Sequence, residues 1–306
     1  TDPSNPVEGQ VWYNTTSNVL KGHKVLATGA WATGNAINDG RSTSGTAGTG
    51  SATGLIFGGL PPTTANTESY NGTNWTEVNN LSTARNSLAG AGTQTAALAF
   101  GGNDGSVTAV TETWNGTNWT EVNDLTDSRS VLAGGGTNTA ALATGGSSPG
   151  DTANTEVWNG TNWTEVNNLN TARNYLMFGG TSTSGIAAGG GPGTKNETEI
   201  WNGTNWTETS NLNTSRYFIG GTGASSTDSI AFGGLTPSVT ANTELWSGSS
   251  WTETSNLNTA RGAFKGSGNA TTAALAAGGE NATTSALTAT EEWSSTTPTT
   301  VTFTDS

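Results

Sequence analysis

Thr67-Glu68-Ser69-Tyr70-Asn71-Gly72-Thr73-Asn74-Trp75-Thr76-Glu77 decides the fold, because the chain repeats its pattern along most of its length. Thr-Glu-x-(Trp/Tyr)-x-Gly-x-x-Trp-Thr-Glu occupies 67–77, 111–121, 155–165, 198–208 and 243–253, and its second Trp falls at Trp75, Trp119, Trp163, Trp206 and Trp251. The spacing is 44, 44, 43 and 45 residues. Ten residues after each of these tryptophans stands an arginine: Arg85, Arg129, Arg173, Arg216 and Arg261. A small-apolar run then ends in a glycine pair at 101–102, 145–146, 189–190, 233–234 and 278–279. The register extends outward. Trp31 precedes Arg41 by ten residues, Gly58-Gly59 and Glu68 follow, and Glu291-Glu292-Trp293 supplies a last Glu-x-aromatic element. Each marker class therefore occurs six times.

Asn71-Gly72, Asn115-Gly116, Asn159-Gly160 and Asn202-Gly203 lie between short aromatic-bearing runs, as in a tight β-hairpin in which Asn and Gly both tolerate positive φ. Ser247-Gly248 takes their place in the fifth copy. Runs such as 95–100 are strand-length and stop at the glycine pair, and no window keeps a 3.6-residue apolar period. The unit reads as four short strands. Six such units, none able to bury a face alone, fit an all-β propeller with four-stranded blades.

Composition then becomes intelligible. Leu, Ile, Val and Phe number only 44 among 306 residues, a poverty that suggests disorder, yet Trp numbers 12 and charged residues are 11%. Eleven tryptophans occupy the two repeat positions on the later strands, where diverging blades need bulky fillers; Trp12 does not. Net charge −13 disfavours nucleic acid or an anionic membrane surface as partner, since both are bound by clustered Lys and Arg. No apolar run is long enough to insert into a bilayer, and no secretion signal is legible. Zero Cys and a lone His23 remove thiolate chemistry, the usual metal sites and His-based triads; no metal or cofactor is expected. The chain begins at Thr1 and its sole Met is Met177, so an upstream part is expected.

The order Arg, apolar run, Gly-Gly, Glu-x-aromatic, Trp resembles the kelch repeat over about residues 25–300. The resemblance implies a six-bladed kelch-type β-propeller in which the glycine pair ends the second strand and the aromatics lie on the third and fourth. The last copy lacks its closing Trp strand, so the ring is expected to be closed by the N-terminal strand around 25–33, with Trp31 as the sixth fourth-strand Trp. The other candidate for closure is 300–304. Residues 5–16, with Val19-Leu20-Lys21, resemble a short element of bacteriophage tail-fibre and other virion proteins. Residues 1–24 are therefore expected to be a connector to other virion proteins, and 25–306 the propeller.

The arginines Arg41, Arg85, Arg129, Arg173, Arg216 and Arg261 and the glutamates Glu68, Glu112, Glu156, Glu199, Glu244 and Glu291 form either a catalytic or anion-binding ring or a structural one. Six copies favour structure, with partly buried Arg/Glu contacts that fix blade register. Glu77, Glu121, Glu165, Glu208 and Glu253 read as an acidic rim on the outermost strands that discourages edge pairing. The connections before each Arg are near-identical, whereas the loops after each glycine pair differ. Loops on a rigid scaffold carry binding residues, and the candidates are Pro61, Asn103, Asp104, Asp151, Lys195, Pro237 and Glu280. Asn103 with Asp104 offers hard oxygen donors for Ca²⁺, although an ordinary turn explains them. The four tyrosines, Tyr13, Tyr70, Tyr175 and Tyr217, show no pairing with acids in the sequence.

The expected function is non-enzymatic: a virion-borne tail-fibre or fibre-like module that contacts a host-surface glycan or protein through the variable loops, with a homo-oligomer as an option. The alternatives are a decoration or connector protein of the particle, and a polysaccharide-cleaving propeller using acids such as Asp104 and Asp151.

Overall fold

The structure, a computed structural model, describes residues 11–24, 29–295 and 299–303. Six four-stranded antiparallel sheets follow the six repeats. Blade one is Gly45–Gly50, Thr53–Phe57, Thr67–Tyr70 and Trp75–Val78. Blade two is Ala89–Gly92, Ala97–Phe100, Thr111–Trp114 and Trp119–Val122. Blade three is Ala133–Thr137, Ala140–Thr144, Thr155–Trp158 and Trp163–Val166. Blade four is Met177–Gly180, Gly185–Ala188, Thr198–Trp201 and Trp206–Glu208. Blade five is Gly220–Ser225, Asp228–Phe232, Thr243–Trp246 and Trp251–Glu253. Blade six takes Gly266–Ala270, Ala273–Ala277 and Thr290–Ser294 from the end of the repeat array and Ala30–Gly34 from its beginning. The protein is thus an all-β, six-bladed propeller, and among the described residues no helix is long and apolar enough to cross a membrane.

Ring closure is made by Ala30–Gly34, with Trp31 opposite Trp293. Residues 25–28 of the expected closing strand, like residues 1–10 of the connector, lie outside the described residues. The alternative closing segment is used elsewhere: Thr299–Phe303 pairs with Val19–Lys24, which pairs in turn with Val11–Asn14, in a separate three-stranded sheet. The hairpins also differ in detail from the expectation. Tyr70 pairs directly with Trp75, so 71–74 form a four-residue loop. Gly72 takes φ 87° while Asn71 stays at negative φ and uses Oδ1 to accept the N–H groups of Thr73 and Asn74. A short amide side chain can satisfy the loop backbone itself, which removes the need for a two-residue turn.

The core is divided into wedges between neighbouring blades. In one of them Leu55 and Phe57 of blade one meet Leu88, Ala97, Ala99 and Trp119 of blade two, and Phe57 lies edge-on to Trp119 at 4.9 Å. Each fourth-strand indole N–H donates to a threonine hydroxyl of the preceding blade. The pairs are Trp75 to Thr290, Trp119 to Thr67, Trp163 to Thr111, Trp206 to Thr155, Trp251 to Thr198 and Trp31 to Thr243, all at 3.0–3.1 Å. A chain poor in aliphatics thereby fills its interior with indoles whose one polar atom is satisfied. The outer-strand acids Glu77, Glu121, Glu165, Glu208 and Glu253 are exposed.

The arginines and glutamates organise the connections between blades. Arg85 Nη2 pairs with Glu112 Oε1 at 2.9 Å, Arg129 with Glu156 at 2.7 Å, Arg173 with Glu199 at 2.8 Å, Arg216 with Glu244 at 2.7 Å, Arg261 with Glu291 at 2.6 Å, and Arg41 with Glu68. These side chains are wholly buried, more so than the sequence suggested. The second carboxylate oxygen accepts the backbone N–H three residues before the arginine, as Thr126 N–H donates to Glu156 Oε2 at 2.7 Å. Nη1 of Arg129 donates to Gly145 O and Asn154 O at 3.1 and 2.5 Å, inside the blade it leads into. Its own carbonyl accepts from Gly102 N of the blade just left, at 2.9 Å. Each arginine therefore ties two blades together. The glycine pair is required at that point: Gly101 and Gly102 have φ of 64° and 107°, and a Cβ on Gly101 would stand 2.6 Å from Arg129 O. Burial pulls the guanidinium of Arg129 below its ordinary pKa, and Glu156 opposes that shift.

Two outcomes follow. Arg129→Ala leaves the Glu156 carboxylate buried without its cation and is expected to cost about 3–5 kcal/mol; calorimetry finding an unchanged melting temperature contradicts the staple. Trp31→Ala is expected to destabilise as much as Trp119→Ala, about 3–5 kcal/mol each, if the ring is closed through Ala30–Gly34; a much smaller loss at Trp31 contradicts that closure.

Candidate functional site

The segment immediately after each arginine lies where the blades converge on the axis. The residue one beyond the arginine bridges to the residue after a glycine pair, as in Asn86 with Asn103, Asn174 with Gly191, Tyr217 with Leu235 and Gly262 with Glu280. The variable loops and these segments consequently share one face, and the segments form its centre.

The next residues, Thr43, Ser87, Val131, Tyr175, Phe218 and Ala263, all adopt the left-handed region, with φ between 50° and 57°. For Thr and Val this is a costly conformation, on the order of 1–3 kcal/mol each. It is held by a belt of backbone hydrogen bonds that passes from blade to blade. Ser87 N–H donates to Thr43 O at 2.7 Å, Val131 to Ser87 at 2.8 Å, Tyr175 to Val131 at 2.9 Å, Ala263 to Phe218 at 3.2 Å and Thr43 to Ala263 at 2.6 Å. At the junction of blades four and five the contact is aromatic instead. The rings of Tyr175 and Phe218 lie 3.8 Å apart, and Tyr217 stands 5.2 Å from Phe218 and 6.4 Å from Tyr175. All three rings are half-buried, so each keeps some surface at the mouth.

Polar groups from the variable loops flank this trio. Asn174 Nδ2 donates to Asp151 Oδ1 at 2.5 Å. The Tyr175 phenol is pushed above its ordinary pKa chiefly by burial, with Tyr217 and the negative charges of Asp151 and Glu280 adding to the effect. Burial also raises the Glu280 carboxyl. Among the sequence candidates, the charges of Asp151 and Glu280 thus both act on Tyr175. The others stay on the rim. Pro61, Asp104 and Pro237 are exposed, and Lys195 Nζ is 3.8 Å from Glu197. The Asn103 and Asp104 oxygens are engaged in their own turn: Asn103 Oδ1 accepts from Gly105 N–H at 2.9 Å, and Asp104 Oδ1 from Ser106 N–H at 3.2 Å.

Sequence reasoning missed Tyr217, Phe218 and Tyr175 as a group, although it singled out Asp151 and Glu280 on the same face. It likewise missed that the Tyr70 hydroxyl donates to Glu292; burial, and next that contact, push the phenol far up. The signal was present in the copies themselves: after the arginine they read Ser-Thr-Ser, Asn-Ser-Leu, Ser-Val-Leu, Asn-Tyr-Leu, Tyr-Phe-Ile and Gly-Ala-Phe. Variation there is as marked as in the loops after the glycine pairs.

No family model matches the chain, and no curated protein matches it. Among solved structures it is similar to that titled "Structure of YjhT", with a TM-score of 0.69 and 13% sequence identity, over 86% of this chain and 99% of that one. At that identity the likeness is one of fold, and propellers of this architecture include enzymes as well as non-enzymes.

Proposed function

We propose that the chain is a non-enzymatic attachment module of a bacteriophage particle, with kelch-type blades, that binds a host-surface glycan at the axial mouth of the loop face. Residues 1–24 serve as the connector to other virion proteins. The observation that carries this reading is the Tyr175, Tyr217 and Phe218 cluster beside the hydrogen-bonded Asp151 and Asn174, within the field of Glu280. Half-buried rings present apolar faces against which a sugar's C–H surface stacks, and a few fixed amide and carboxylate groups pair with its hydroxyls. The eleven tryptophans of the repeat cannot serve in this way, because they are buried between blades. The asymmetry also favours binding: a ring built only for closure has no use for aromatic residues at two blades and Ser, Val, Thr or Ala at the rest.

A glycan array and a whole-cell pull-down test the proposal. Tyr217→Ala is expected to weaken binding by about 2 kcal/mol or more, as at an aromatic anchor, with the melting curve retained. Undiminished binding contradicts the site; capture of purified particles in place of host cells identifies a decoration protein. Because the Tyr175 phenol is held above its ordinary pKa, it stays a neutral donor across neutral and mildly alkaline pH, and binding is expected to be flat there. A loss of binding between pH 7 and pH 9 that Tyr175→Phe abolishes contradicts that assignment.

A further inference from the structure

Along the axis the innermost strands enclose a channel of about 260 Å³. Each of those strands is the free edge of its sheet, so alternate N–H and C=O groups face the channel without a ladder partner. The position four residues after each arginine begins this edge, and it reads Gly45, Ala89, Ala133, Met177, Gly220 and Lys265. Five copies are uncharged and one carries an ammonium. Among the described residues Lys265 is the only charged side chain lining the channel, and it also lines the small cavity beneath the mouth belt.

The Gly and Ala residues at this position on four of the other blades leave room for Lys265 to reach across the axis from blade six. Its Nζ donates to Leu132 O at 3.1 Å and Leu176 O at 3.4 Å, the carbonyls that lead into blades three and four. Among the described residues it belongs to no ion pair. An ammonium has three N–H donors, so two carbonyls leave one donor and the whole positive charge unmatched in a channel walled by neutral groups.

We propose that the axial channel binds a small monovalent carboxylate, held by Lys265 Nζ and the free N–H groups of the innermost strand edges. A single ammonium in a protein of net charge −13 suits one negative charge rather than two. The channel exceeds the volume of a bare ion, and its remaining N–H and C=O groups suit the second oxygen and a polar remainder. Burial lowers the Lys265 pKa to about 8, so the ammonium form prevails at neutral pH and is lost as pH rises through that value. This site is independent of the glycan reading of the outer mouth.

Acetate is the probe. In protein carrying ¹³C-labelled lysine, the Lys265 ¹³Cε resonance is followed through a pH titration with acetate and, as control, with chloride at equal ionic strength. Acetate is expected to move the Lys265 resonance saturably and raise its pKa, leaving Lys195 unmoved, and its affinity should fall as pH passes 8. Lys265→Met is expected to weaken acetate binding about tenfold or more. A Lys265 resonance indifferent to acetate, or responding equally to chloride, overturns the proposal, and this wild-type measurement decides even if the variant does not fold. Undiminished acetate binding by a folded Lys265→Met protein overturns it as well.

Discussion

The buried arginine at each blade connection is the contact on which the rest of the structure depends. Its carbonyl holds the glycine pair of the blade just completed, and its guanidinium holds a glutamate and, in five of the six, two carbonyls of the blade about to begin. Such a pair gains little over a well-packed apolar pair of the same volume, because desolvating two charges costs several kcal/mol. What it supplies is direction. A guanidinium fork accepts one arrangement of partners, whereas wedges of Gly, Ala and Trp would tolerate sliding. With every connection fixed, the third-strand threonine of one blade meets the fourth-strand indole of the next, and the ring closes on Trp31.

Sixfold repetition explains what was legible in the sequence. Trp119, Arg129, Glu156 and Gly101-Gly102 each recur at a fixed offset, and a residue needed at every blade announces itself by its period. The placement of Trp31 in blade six follows from the same register. What stayed hidden depends on convergence in space. Tyr175 and Tyr217 are 42 residues apart in the chain, and their rings meet because blades four and five adjoin at the axis. Tyr70 and Glu292 meet across the ring closure, where no spacing rule reaches. The four-residue hairpin loops were misjudged for a local reason: Asn71 uses its side chain, and not a left-handed backbone, to satisfy the turn.

The axial mouth therefore has two layers of information. The left-handed residues and their belt of backbone hydrogen bonds belong to the scaffold, since all six positions share the same φ while their side chains differ from Val to Ala. The side chains at and beside those positions do not follow the repeat, and there the chain places its aromatic trio. Function in this account lies in departures from the repeat, and architecture in adherence to it.

That division is tested most directly by restoring the repeat. A chain carrying Tyr175→Ser, Tyr217→Asn and Phe218→Ser takes the Asn86-Ser87 sequence of blade two at the mouth, and its thermal unfolding and its binding to host cells are measured side by side. The account predicts an unfolding curve close to that of the parent with binding lost. A chain that unfolds far earlier yet binds as the parent does would contradict it.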